Sequence, residues 1–152
     1  MIIGIDPGPI VQSYVIFDGH RVLQSGDESI ASMVKIIESH SDVMVAIEHI
    51  ACMGMAVGSE VFHTVFNSGR LYVASGVCRM IPRTDIKMHL CGSTRAKDPN
   101  IRRALLDKVG MVGTKKNPGP CYGVSNHLWS ALAVAVTAYE VNRTKSEFFP
   151  AE

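Results

Sequence analysis

Two acidic residues stand at the ends of two predicted buried strands. Asp6 follows the apolar run 1–5 and precedes Pro-Gly, and Glu48 follows the predicted strand over 42–47. Neighbouring strands lie about 5 Å apart, so carboxylates at their ends can share a hard cation such as Mg²⁺. Divalent cations activate water and neutralise the leaving oxygen in phosphodiester hydrolysis. The pair is typical of a metal-dependent hydrolytic site, while a turn-forming aspartate and a solvated strand end explain the same pattern.

The charge is segregated along the chain, although the net charge is only +1. Residues 1–78 carry three basic and eight acidic side chains, whereas residues 79–116 carry ten basic and three acidic ones. A solvated basic face is the ordinary explanation of such a run. Beside a pair of buried acids, the run also indicates a surface that binds a polyanion next to a metal site.

The elements that position these residues alternate between strand and helix. Strand patterns occur at 1–5, 11–18, 21–25, 42–47 and 77–81, and a turn at 18–20 makes the second and third strands a hairpin. Helical spacing occurs at 28–40, 59–75, 100–109 and 124–142, and the Gly/Pro/Lys-rich segment 110–120 is predicted to be a mobile loop. This order predicts an α/β domain with a crossover.

Length and composition exclude several classes of protein. At 152 residues and 47% hydrophobic content, the chain suits one domain with a core and is neither disordered nor of low complexity. It lacks a run of about 20 apolar residues, and its four cysteines form no C-x-x-C pair. We therefore expect a soluble cytoplasmic protein with reduced thiols, no structural zinc and no contact with a membrane.

Four segments in order resemble the RuvC family of Holliday junction resolvases. They are Ile2-Ile3-Gly4-Ile5-Asp6-Pro7-Gly8, then Val45-Ala46-Ile47-Glu48, then the lysine-bearing stretch 85–98, and His127-Leu128-Trp129-Ser130-Ala131-Leu132-Ala133-Val134-Ala135. The resemblance covers residues 1–142, which we take as the nuclease domain, with 143–152 as a C-terminal tail. The compact form and the Gly/Pro loop are most similar to the small phage-borne members.

This resemblance implies a fold, an oligomeric state, a substrate and metal cofactors. The expected fold is α/β and RNase H-like, with a mixed five-stranded sheet flanked by helices. The expected protein is a homodimer that binds branched DNA and nicks a four-way junction symmetrically. Two Mg²⁺ ions are implied as cofactors, with Mn²⁺ as a substitute.

The resemblance also assigns roles to individual residues. Asp6 matches the acid that bridges both metals, Glu48 matches the second acid, and His127 matches a third metal ligand. Lys87 and Lys97 match the lysines that hold the scissile phosphate, and are therefore predicted to be catalytic. The remaining predicted DNA-binding residues are Arg95, Arg102, Lys115 and Lys116.

The last helix departs from the usual pattern of the family. Acidic or His/Asp ligands stand there three residues apart, whereas this chain has His127 and Ser130. Loss of an anion weakens Mg²⁺ binding and favours Mn²⁺. Three functions follow from the sequence: a resolvase, a junction-binding protein that no longer cuts, and an actin-like phosphotransferase. The last shares the opening motif, but the chain is too short for it.

Two further surfaces are candidates for a role in binding. Members of the family usually carry an aromatic residue after the second acid that unstacks bases at the branch point. Met53 or Met55 is the candidate for this role here, although a thioether also fills gaps in a core. The predicted helix over 59–75, with Phe62 and Phe66, is a candidate dimer surface, and an ordinary packed helix explains the same residues. Trp129 is expected to lie in the core.

Overall fold

The computed structural model describes residues 1–51 and 54–148, and the side chains of 1–51 and 54–143. Its strands are β1 (Ile2–Asp6), β2 (Val11–Phe17), β3 (Val22–Ser29), β4 (Met44–His49) and β5 (Cys78–Pro82). Its helices are α1 (Ile30–Glu38), α2 (Ser59–Ala74), α3 (Arg83–Cys91), α4 (Asp98–Lys108) and α5 (Leu128–Phe148). In this part of the chain, no helix has the length and apolar character needed to cross a membrane.

The strands form one mixed sheet in the order β3-β2-β1-β4-β5. The hairpin strands β2 and β3 run antiparallel, and β2 is also antiparallel to β1. The other half of the sheet is parallel, because β4 pairs with β1 and β5 pairs with β4. The expected mixed five-stranded sheet is confirmed, and its parallel half brings the ends of β1, β4 and β5 to one edge.

Hydrophobic side chains cover both faces of the sheet. On one face, Ile3, Ile5 and Ile47 pack with Met33 of α1 and Leu71 of α2. On the other face, the alanine-rich helix α5 lies across β1 and β2. Burial on both faces explains why β1 and β4 are continuous apolar runs rather than alternating ones.

Gly4 allows α5 to approach β1 closely. A Cβ atom built on Gly4 would lie 2.3 Å from the Ala131 carbonyl oxygen and 2.6 Å from the Ala135 Cβ atom. The absence of a side chain at Gly4 is therefore what lets the helix backbone rest on the strand. This contact determines the position of the first turn of α5 relative to the end of β1.

The observed boundaries differ most from the predicted ones at three places. The third strand continues to Ser29, because it pairs with β2 along its whole length, and α1 consequently begins at Ile30 instead of residue 28. The last helix begins at Leu128 instead of residue 124, because turns occupy 119–127. It also extends to Phe148, beyond the predicted end at residue 142.

One helix was not predicted from the sequence. Helix α3 spans Arg83–Cys91 and buries only Ile86 and Leu90, so its apolar periodicity is too weak to be recognised. It begins directly after Pro82, the last residue of β5, and ends at Gly92 in the left-handed conformation. Its first residue therefore lies at the same sheet edge as the ends of β1 and β4.

Candidate active site

The parallel pairing of β1 and β4 brings the two predicted acids together. Ile5 lies opposite Ile47, so Asp6 and Glu48, which follow them in β1 and β4, stand side by side at this edge of the sheet. Their side chains are 20% and 14% exposed, respectively. The structure thus places two carboxylates in one partly buried position at the edge of the sheet.

The environment of these acids disfavours their negative charge. Burial raises the pKa of Asp6 above its ordinary value, and His127 and Arg83 offset this only in part. Burial likewise raises the pKa of Glu48, with partial offset by Arg83 and a further rise from the charge of Asp6. A further positive charge would stabilise two neighbouring carboxylates whose pKa values are raised, and such pairs are common at functional sites.

The turn before α5 supplies the third predicted residue. His127 Nδ1 lies 3.6 Å from Asp6 Oδ2, and the His127 side chain is 82% exposed. Its carbonyl accepts a hydrogen bond from the backbone N–H of Ser130 at 2.9 Å. The imidazole therefore stands at the open side of the carboxylate pair, and Ser130 follows one helical turn later.

Arg83 occupies the inner side of the site and was not predicted from the sequence. Its Nη1 atom donates to Glu48 Oε2 at 3.0 Å and to Ser130 Oγ at 3.3 Å. Its Nη2 atom donates to Asp98 Oδ1 at 2.6 Å. The signal that could have found it is its position: Arg83 directly follows the third parallel strand, β5, while Asp6 is the last residue of β1 and Glu48 is the last but one of β4.

The donor groups suit a divalent cation in chemistry but are not arranged as a ready cage. Within residues 1–51 and 54–148, no three His, Cys, Asp or Glu side chains form a group that could hold a metal ion as they stand. Asp6 and Glu48 nevertheless offer hard oxygen ligands, although Arg83 already pairs with Glu48 at 3.0 Å, and His127 adds a nitrogen ligand. The chemistry of this set fits a divalent cation.

A groove of about 860 Å³ runs along the site. Its lining includes Asp98, Arg102, His127 and Ser130. The Arg102 guanidinium lies 5.0 Å from the ring centroid of Trp129, which is buried in the core as expected. Of the predicted DNA-binding residues, Arg102 is thus the one that lines the groove.

The other predicted DNA-binding and catalytic cations lie on α3, α4 and two loops. Lys87 is one turn after Arg83 on α3, and therefore on the same side of that helix. Lys97 precedes α4, where its backbone N–H donates to Asn100 Oδ1 at 2.9 Å. The exposed remainder comprises Arg95, in the turn before α4, and Lys115 and Lys116, in the loop over 110–120.

The two wedge candidates have different outcomes. Met53 lies outside the described residues. Met55 is exposed, in the segment between β4 and α2. Its position follows the second acid, and its role in opening a branch point stays a prediction.

We expect Asp6→Asn to stabilise the metal-free protein at neutral pH. Asp6 has a raised pKa in the folded state, so its contribution to stability is full below the ordinary value of 3.8 and is lost as the pH rises through the folded pKa. Asparagine carries no charge and avoids this loss. Thermal unfolding in EDTA should give the variant a higher Tm than the wild type at pH 7, with the difference shrinking towards pH 3.5. A difference that is independent of pH would contradict burial of the charge as its cause.

No family model and no curated protein matches the chain by sequence. Solved structures do match. The structure of Thermus thermophilus RuvC superposes with a TM-score of 0.70 at 20% identity, covering 95% of this chain and 96% of that one. The T. thermophilus RuvC in complex with Holliday junction substrate gives a TM-score of 0.71 at 18% identity, with the same coverage. The chain therefore has the RuvC-like, RNase H-like α/β fold that its sequence predicts.

Proposed function

We propose that this protein is a metal-dependent endonuclease that resolves four-way DNA junctions. The observation that carries the proposal is the pair of partly buried carboxylates, Asp6 and Glu48, at the ends of adjacent parallel strands with His127 beside them. The likeness of fold to a RuvC in complex with Holliday junction substrate supports branched DNA as the substrate. We expect the reaction to take place on DNA in the cytoplasm.

In this proposal, each residue acts according to its position. Asp6, Glu48 and His127 hold the divalent cation, Mg²⁺ or Mn²⁺, which supplies Lewis-acid activation of water and neutralises charge on the phosphate. Because the two acids are partly buried, water screens their attraction for the cation less than it would at the surface. Lys87 and Lys97 hold the scissile phosphate, while Arg95, Arg102, Lys115 and Lys116 bind the flanking backbone.

Two symmetric nicks require two active sites related by a two-fold axis, so the proposal includes a homodimer. The exposed side of α2 is the surface that suits it. Phe62 and Phe66, one turn apart, are 66% and 68% exposed, and Val73 is also open to solvent. Large apolar side chains in such a row mark protein interfaces more often than solvated faces.

We expect Phe66→Lys to dissociate the dimer. Loss of a central aromatic contact costs at least about 2 kcal/mol, which corresponds to about a 30-fold rise in the dissociation constant. Analytical ultracentrifugation at micromolar concentration should show a dimer for the wild type and a monomer for the variant. Met111→Lys changes an equally exposed apolar residue outside α2 and should remain dimeric. A dimeric Phe66→Lys would remove α2 from the interface.

We expect Lys87→Ala and Lys97→Ala to lose nicking while retaining junction binding. Removing one group that stabilises transition-state charge lowers the rate by about 10²-fold, whereas one lost phosphate contact changes affinity only a few-fold. Single-turnover nicking and gel-shift titration measure the two effects separately. Lys35→Ala, on α1, is the matched control and should change neither. Equal loss of binding and nicking would make these lysines general backbone contacts.

The test of the proposal is nicking of a labelled four-way junction by the purified protein. We expect paired, symmetric nicks in Mg²⁺ or Mn²⁺, none in EDTA, and much weaker cutting of a linear duplex of the same sequence. Absence of nicks in both metals, with junction binding intact, would overturn the enzyme and leave the second candidate function.

That second candidate is a junction-binding protein that does not cut. The observation in its favour is the inner side of the site, where Ser130 supplies no charge and Arg83 bonds directly to Glu48. A guanidinium on a catalytic acid can compete with a cation for that acid. The nicking experiment separates the two functions, because both predict binding and only the first predicts cleavage.

A further inference from the structure

Arg83 is held at the centre of the acidic site by the fold itself. In the parallel pairing of β4 with β5, Glu48 lies opposite Ile81, and Arg83 starts α3 two residues later. Its guanidinium therefore reaches the site from the neighbouring strand end. The Arg83 side chain is only 26% exposed.

Three oxygen groups surround this guanidinium. Glu48 and Asp98 each accept from one of its two terminal nitrogens, at 3.0 and 2.6 Å. Ser130 Oγ lies 3.3 Å from the same Nη1 atom that bonds to Glu48. A divalent cation in a carboxylate site is bound by oxygen ligands on several sides. Here oxygen atoms surround the Arg83 guanidinium in the same way, and this positive charge is part of the chain.

The charges at the site balance with one divalent cation. The charges of Arg83 and Asp98 affect the pKa values of both Asp6 and Glu48, and His127 affects that of Asp6. Counting these three carboxylates and the Arg83 guanidinium alone, the cluster has an excess of two negative charges. One divalent cation cancels this excess, whereas two cations would reverse it. Two divalent cations would need two further negative charges, which loss of the guanidinium and a carboxylate at position 130 would supply together, but this chain has Arg83 and the hydroxyl of Ser130.

We propose that Arg83 takes the place of a second metal ion, so that each chain binds one divalent cation, at Asp6, Glu48 and His127. This inference rests on the proposed metal-dependent function and replaces the pair of ions that the sequence resemblance implies. The guanidinium remains charged at any pH at which the protein is folded, and its position is fixed by three hydrogen bonds. It therefore supplies a permanent positive charge beside the scissile phosphate.

The test counts bound Mn²⁺ without DNA. Electron paramagnetic resonance of free Mn²⁺ during titration gives the number of ions per chain, and Asp6→Asn identifies ions that belong to this site. We expect the wild type to bind one ion that Asp6→Asn loses. We expect Arg83→Ala/Ser130→Asp to bind two, because the guanidinium is gone and a carboxylate has been added. Arg83→Lys, which keeps the charge, should bind one.

The outcomes distinguish this inference from the proposed function. Two Asp6-dependent ions in the wild type would overturn the role of Arg83, even if the protein nicks junctions. No Asp6-dependent ion in the wild type would overturn it as well. One ion in a protein that never nicks would support the inference and contradict the endonuclease. Circular dichroism confirms that each variant is folded, and the wild-type count decides the matter if the double variant is not.

Discussion

Asp6→Asn should reduce nicking of a four-way junction by about 10³-fold while leaving junction binding within a few-fold of the wild type. A cation that stabilises transition-state charge contributes several kcal/mol, and each 1.36 kcal/mol is a factor of ten in rate. Asp6 faces His127 on one side and lies beside Glu48 in the sheet, so it is the acid that neighbours both other proposed metal ligands. Single-turnover nicking at saturating enzyme measures the chemical step without the binding step.

The matched control for this variant is Asp107→Asn. Asp107 is exposed on α4 and pairs with Arg103 four residues earlier, a contact with little effect on stability. It should nick junctions at the wild-type rate. If Asp6→Asn also retained most of the wild-type rate, the strand-end carboxylates would not be the reacting centre.

Gly4→Ala should lower the free energy of unfolding by about 3 kcal/mol. Its new methyl group would meet the Ala131 carbonyl oxygen and the backbone nitrogen and Cβ of Ala135, all within 2.8 Å. Overpacking costs about 1 to 3 kcal/mol, and backbone atoms of a helix cannot move aside as a flexible side chain can. Urea unfolding monitored by circular dichroism measures the change, and the Tm should fall by roughly 6 to 12 °C.

Gly26→Ala is the corresponding control. Gly26 lies inside the edge strand β3, and the nearest neighbour of a Cβ atom there would be Tyr14 Cε1 at 3.4 Å, an ordinary contact distance. Replacing a glycine in a strand interior with alanine stabilises by about 0.5–1 kcal/mol. A Gly4→Ala variant as stable as the wild type would show that α5 does not depend on close contact with β1. The position of His127 next to Asp6 would then need another explanation.

The main features of the fold were predictable from the sequence because burial leaves a clear pattern there. The runs 1–5 and 42–47 are apolar throughout, as strands covered on both faces must be, and their terminal acids marked one edge of the sheet. Helix α3 was not predictable in the same way. Only Ile86 and Leu90 of that helix are buried, so its sequence has no distinct apolar face.

Only part of the candidate site was predictable, namely the part formed by residue types that commonly bind metal ions. Asp6, Glu48 and His127 are recognisable as candidate ligands, and the structure brings them to one edge. Arg83 and Asp98 were missed because their importance comes from contact with each other and with Glu48 across distant parts of the chain. Composition placed Arg83 only within a basic run, and tertiary pairing of β4 with β5 was needed to place it in the site.

Anomalous diffraction from a crystal soaked in Mn²⁺ shows whether the two strand-end carboxylates bind a cation. We expect one peak per chain at the Asp6 and Glu48 carboxylates, on the side of His127, with Arg83 still bonded to Glu48. A peak elsewhere on the molecule, or none at these two carboxylates at a Mn²⁺ concentration that supports nicking, would contradict this prediction.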